Sequence, residues 1–222
     1  MSSVDRLSSR FNPRADVAAF YAGIGISPLS LYSDPNEAAE VLRLQLLKLD
    51  EEHSEVVAAA RARQEDPMHA AEEGVDVAYV ALGICELLGY EGDFNFEPSA
   101  TTIEGVAIVP EVQILRLQEA YEAALQAHEY KEKVALGDNL LGLAGISFGL
   151  IKALGHCPED LWDMKHQVNT TKYDADLYSA YRDQGLSHME ALNALKESWP
   201  ERRKLLDPDS LPIDNNTGFL VA

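Results

Sequence analysis

The stretch Leu49–Leu88, LDEEHSEVVAAARARQEDPMHAAEEGVDVAYVALGICELL, decides the fold. Apolar residues recur at helical spacing on both sides of Gln64–Pro67. Pro67 cannot donate into a continuing helix and pushes Asp66 away from helical geometry. Two antiparallel helices joined by a tight turn are therefore predicted. Glu52 and Glu55 are three residues apart, as are Glu73 and Asp76, so each pair projects from one helix face.

Such a hairpin brings four carboxylates together, and they repel unless a hard divalent cation neutralises them. Oxygen-only ligands favour Mg²⁺ or Mn²⁺ over zinc. Val75, Val77, Val80, Leu82 and Ile84 flank Asp76 so closely that it is expected at the edge of the apolar stripe, where an acid needs a partner. Because repulsion is the dominant interaction expected there, Asp76→Asn is predicted to spare the fold or to stabilise it. A solvated acidic face is the competing account, since this chain is acidic throughout.

Glu51-Glu52-His53-Ser54-Glu55 followed by Glu73-Gly74-Val75-Asp76 resembles the EExxE…ExxD signature of MazG-like all-α nucleoside triphosphate pyrophosphohydrolases. DVAAFYAGIGI at residues 16–26, VLRLQLLKLDEE and DVAYVALGICELLG are similar to the phosphoribosyl-ATP pyrophosphohydrolase-like branch, so the resemblance spans most of residues 15–90. It implies that Glu52, Glu55, Glu73 and Asp76 bind Mg²⁺ or Mn²⁺ and that a metal-activated water cleaves between the α- and β-phosphates of a nucleotide. CPEDLWDMKHQVNTTKYD, after Gly155, is similar to the segment ending in SNxSK in the same branch. Asn169 and Lys172 match, whereas Val168 and Thr171 depart from the usual serines. By this resemblance Lys172 meets a phosphate, as a flexible ammonium can; a solvated helix C-terminus is the competing account.

The remaining chain reads outward from the hairpin. A first helix is expected over about Arg14–Ala22, ended by Gly23, Gly25 and Pro28. Asp34-Pro35-Asn36-Glu37 starts the long helix to about Ala62. A second long helix runs from Met68 to Gly89. Residues 91–113 are a linker, with a short strand or hairpin within 101–109. Beyond it, Glu119, Glu122 and Asp138 echo the first acids, with Asp138–Gly145 matching Asp76–Gly83 and Ala135 standing where Glu73 would fall. Residues 1–90 then form one half and 114–173 a degenerate second half ending in NTTK. Two hairpins of this kind can bury their apolar faces as a four-helix bundle. Residues 174–222 hold two helices split at Gln184-Gly185, the second capped by Ser187 and Glu190, and an extended tail.

The chain has 222 residues, 46% of them hydrophobic, and a formal net charge of −19. That charge argues against a nucleic-acid polymer as partner, because phosphate backbones are bound by clustered Lys and Arg. Cys85 and Cys157 sit in apolar helical surroundings and are expected as buried free thiols of a reducing compartment. The longest apolar run, around 140–154, is interrupted by Gly142, Gly145, Ser147, Gly149 and Lys152. No membrane partner and a cytoplasmic location are expected. The sequence shows no zinc, P-loop or dinucleotide pattern, and nothing suggests a Ser or Cys nucleophile, so metal-activated water is the economical chemistry.

The reading is an all-α, MazG-like pyrophosphohydrolase that converts a nucleoside triphosphate to the monophosphate and pyrophosphate. Glu51 serves as base or in support of the ligands, and Lys48 and Lys172 neutralise pyrophosphate. Asn169 and Arg43 contact substrate, and Phe20 and Tyr21 offer rings for the base. Compact phage enzymes of the resembled branch act on dGTP, which makes dGTP the first expectation. A homo-oligomer, dimer or tetramer, is expected. The alternative is a non-catalytic nucleotide-binding or helical interaction protein.

Overall fold

The computed structural model describes residues 11–94, 96, 102–103, 106–107 and 109–205. The described chain is all-helical apart from one small antiparallel ladder. Helix α1 spans Pro13–Gly23, a 3₁₀ turn Leu29–Leu31, α2 Pro35–Arg61, α3 Pro67–Leu87, α4 Pro110–Glu129, α5 Lys133–Ala153, α6 Pro158–Lys172, α7 Ala175–Asp183 and α8 His188–Lys204. Strands β1, Thr102–Ile103, and β2, Val106–Ala107, pair between α3 and α4. Both strands fall within the 101–109 segment where a short strand or hairpin is expected, while helix returns at Pro110, inside the expected linker. The expected extended tail lies after Leu205, outside the described residues.

Local chemistry sets the boundaries. Asp34 Oδ1 accepts from Asn36 N at 2.8 Å to start α2, and Asp66 Oδ1 accepts from His69 N at 3.0 Å to start α3. In both helices proline occupies the first turn, where its missing N–H costs nothing. Ser187 and Glu190 form the expected reciprocal capping box of α8. Helices α3 and α5 end alike: Gly89 and Gly155 adopt φ of 58° and 89°, and the next amides, of Tyr90 and His156, reach back to Cys85 O and Ile151 O.

Helices α2 and α3 pack as one hairpin and α4 and α5 as another, joined mainly through α3 against α5, with α2 touching α4. Helix α1 lies on α3, and α6 spans α1, α3, α5 and α8. The apolar faces of α3 and α5 thereby form the centre, with Tyr79, Leu82, Ile84, Leu140, Phe148 and Ile151 fully buried. Helix α5 is long and apolar enough to cross a membrane by length and composition, but it is the central helix of this packing, covered by α3 and α4. Gly83 makes the α1–α3 approach possible, because a Cβ there would collide with the ring and hydroxyl of Tyr21.

Cys85 is buried as expected, and burial pushes its thiol up to about 12. Cys157 corrects the expectation. It precedes α6 on the exposed surface, where its thiol donates to Glu159 Oε2 at 3.1 Å.

Candidate metal centre

Helix α2 carries Glu52 and Glu55 across to Glu73 and Asp76 of α3. Carboxylate oxygens of Glu52, Glu55 and Glu73 all lie within 4.8 Å of one another, the only such grouping among the described residues. Glu52 is fully buried and Glu73 nearly so, with Glu55 the most open of the three. Oε2 of Glu52 and Oε2 of Glu73 are buried without a hydrogen-bond donor.

Burial raises the Glu52 pKa, and the nearby charges of Asp76 and Glu55 push it further against the pull of Lys48. Glu73 is likewise raised by burial and by Glu55, with His69 and Lys165 opposing. Added positive charge would stabilise such groups as anions. The donor set is entirely carboxylate, the ligand chemistry of a hard divalent cation, and its three oxygens already lie within 4.8 Å of one another. The residues present therefore fit Mg²⁺ or Mn²⁺.

Asp76 has the partner that an acid beside the apolar stripe needs. It is 1% exposed, and Lys165 of α6 straddles its carboxylate, with Nζ 2.8 Å from Oδ1 and 2.9 Å from Oδ2. Lys48 Nζ lies 2.6 Å from Glu52 Oε1 and 2.9 Å from Glu51 Oε2. Burial would lower the Lys48 pKa, but its bonds to Glu52 and Glu51 leave it raised. Glu51 itself stands on the surface beside that ammonium.

One face of α6 extends the site. Lys165, Asn169 and Lys172 are all buried, together with Trp162 and Val168. His166 Nδ1 and the Tyr79 hydroxyl are 3.0 Å apart, and Trp162 Nε1 donates to Asp16 Oδ2 at 2.9 Å, which ties α6 to α3 and α1. Asn169 lies beside the Tyr79 hydroxyl, yet neither of its buried amide atoms completes a well-directed hydrogen bond. Lys172 Nζ sits 5.1 Å from the Tyr173 ring centre.

Phe20 and Tyr21 are packed inside. Phe20 meets Tyr79 and Tyr173 edge-on at 5.6 and 6.1 Å, and the Tyr21 hydroxyl donates to Gln45 Oε1 at 3.1 Å. Arg43 is nine positions before Glu52, about half a turn around α2 at roughly 100° per residue. It is exposed, with Nε and Nη2 each 2.7 Å from the Glu40 carboxylate, away from the acids.

The second hairpin makes no matching cluster. Glu119, Glu122 and Asp138 are exposed, while Gln113, Leu117, Tyr121 and Ala124 face inward from α4. Asp138 accepts from the Tyr90 hydroxyl. Matching the ends of α3 and α5 places Gly142 opposite Asp76 and leaves Asp138 one turn earlier.

Lys165 is the site residue that the motif reading missed. A signal was present: Lys165 occupies a slot of the apolar stripe formed by Leu161, Trp162 and Val168. A lysine there must find a buried acid.

No protein-family model matches the chain, and neither the curated proteins nor the solved structures compared with it include a match.

Proposed function

We propose that the chain is a divalent-metal-dependent nucleoside triphosphate pyrophosphohydrolase of the MazG-like kind. The observation that carries this reading is the convergence of Glu52, Glu55 and Glu73, two of them buried with unpaired oxygens, beside a helix face bearing Lys165, Asn169 and Lys172. Burying like charges together is costly, and a bound cation would offset that cost.

A bound Mg²⁺ or Mn²⁺ would supply charge to phosphate oxygens and acidity to a water. The chain's own groups do the rest. Lys48 holds the Glu52 carboxylate in place from α2, and the solvent-facing Glu51 stands ready to accept a proton. Asn169 offers both an acceptor and a donor to the substrate, and Lys172 supplies positive charge toward the polyphosphate. Phe20 acts by backing Tyr79 and Tyr173. The substrate is a deoxynucleoside triphosphate, dGTP foremost, in a cytoplasmic setting, with the protein acting as a homo-oligomer.

The test is pyrophosphate release from a panel of nucleoside and deoxynucleoside triphosphates with Mg²⁺ or Mn²⁺. Metal-dependent release, fastest from dGTP, is expected. Equal turnover of all four deoxynucleotides would remove the base preference, and Mn²⁺ binding without turnover of any would favour a non-catalytic nucleotide-binding protein.

A further inference from the structure

We propose that Lys165 takes the place of a second metal ion, so that the chain binds a single divalent cation, on Glu52, Glu55 and Glu73, while Asp76 is neutralised from within. This rests on the metal-dependent reading above and specifies how its site is charged.

When ionised, Glu51, Glu52, Glu55, Glu73 and Asp76 carry five negative charges, and Lys48 and Lys165 bring two positive ones to the same residues. One divalent ion leaves the centre one charge negative and a second would turn it positive, whereas without Lys165 two ions balance it. Position agrees with the count. The three glutamate oxygens that approach one another exclude Asp76, whose two oxygens both face the Lys165 ammonium.

Lys165 cannot easily yield to an incoming ion. Its side chain is 8% exposed and springs from a helix wedged against α1, α3, α5 and α8. Displacement would leave a buried ammonium without its acid, which costs far more than directing the cation to the donor-free oxygens of Glu52 and Glu73. The unpaired oxygens on Glu52 and Glu73 are the second, independent sign that the open coordination lies on the glutamate side. Lys165 is thus a positioning residue: it fixes Asp76 and supplies a permanent charge beside the ion.

The experiment counts bound ions. Mn²⁺ titration of the full chain, followed by the loss of the free-ion electron paramagnetic resonance signal, is expected to give one ion per chain. In Lys165→Met the freed Asp76 joins the ligand set, and a second ion per chain is expected. In the double variant Lys165→Met with Asp76→Asn both charges are gone, so one ion returns, with an affinity within about threefold of the parent.

Two ions in the parent chain would overturn this inference while leaving the metal-dependent reading intact. So would a Lys165→Met protein that binds one ion as before, or a double variant whose affinity drops more than tenfold, since Asp76 would then be a ligand of the resident ion. No Mn²⁺ bound by the parent would overturn both. Should Lys165→Met fail to fold, the parent and the charge-free double variant still decide the outcome.

Discussion

The 2.8 Å contact between Lys165 and Asp76 changes what a conservative substitution should do. Repulsion among four acids predicts that Asp76→Asn is harmless to the fold. With the buried ammonium in place, the same change strands Lys165, and breaking one side of a buried pair costs about 3–5 kcal/mol. Chemical denaturation of the metal-free protein should show that loss; a more stable Asp76→Asn would mean that repulsion still dominates. Lys172→Ala should weaken substrate binding or turnover while Mn²⁺ titrates as in the parent, because its proposed partner is phosphate rather than the ion. At the other end of the chain, His188 is buried against the Tyr178 hydroxyl at 2.8 Å, and burial, aided by Arg182, depresses its pKa to about 4. The folded state thus favours the neutral ring. Stability from this residue is complete above the unfolded value of about 6.5 and is lost as pH falls through that value toward 4, by up to roughly 3 kcal/mol. Urea unfolding of parent and His188→Gln at pH 7 and pH 4.5 should converge at the lower pH; parallel curves would contradict the assignment.

Among the helices, α3 does the most to position the site, because it presents Glu73 and Asp76 to α2 and α6 while packing Gly83 under Tyr21 of α1. Gly83→Ala removes a flexible residue from a helix, which alone would help by up to about 1 kcal/mol. The added methyl meets the Tyr21 ring, however, and overpacking typically costs about 1–3 kcal/mol. A net loss of stability, with displacement of the Tyr21–Gln45 hydrogen bond, is expected in thermal unfolding, whereas a gain would show that α1 shifts freely. These element-level features differ in how visible they are in sequence. Proline and aspartate at the starts of α2 and α3, and glycine after the ends of α3 and α5, act locally, so the hairpins and their boundaries can be read directly. The closing of α6 onto α3 depends on residues about ninety positions apart. A motif resemblance singles out Asn169 and Lys172, which lie buried on α6, but no local rule pairs Lys165 with Asp76. Nor does a repeat of ExxE spacing report which way it faces: Glu119 and Glu122 keep the interval of Glu52 and Glu55, yet the inward side of α4 is Leu117, Tyr121 and Ala124.

In the molecule as a whole, the α2–α3 hairpin carries the acids and the α4–α5 hairpin covers their apolar backs. Activity should therefore be one-sided. Asp138→Asn, at an exposed residue that accepts from Tyr90, should cost far less activity than Glu73→Gln, which removes a buried carboxylate from the cluster. Comparable losses from the two would mean that both hairpins build working sites. The central claim, that Glu52, Glu55 and Glu73 hold the cation for cleavage between the α- and β-phosphates, is tested most directly by identifying the products. Incubation of dGTP with the parent chain and Mn²⁺ should yield dGMP and pyrophosphate in equal amounts, at a rate that falls at least about a hundredfold in a folded Glu52→Gln variant. Release of dGDP and orthophosphate, or an undiminished rate in Glu52→Gln, would contradict it.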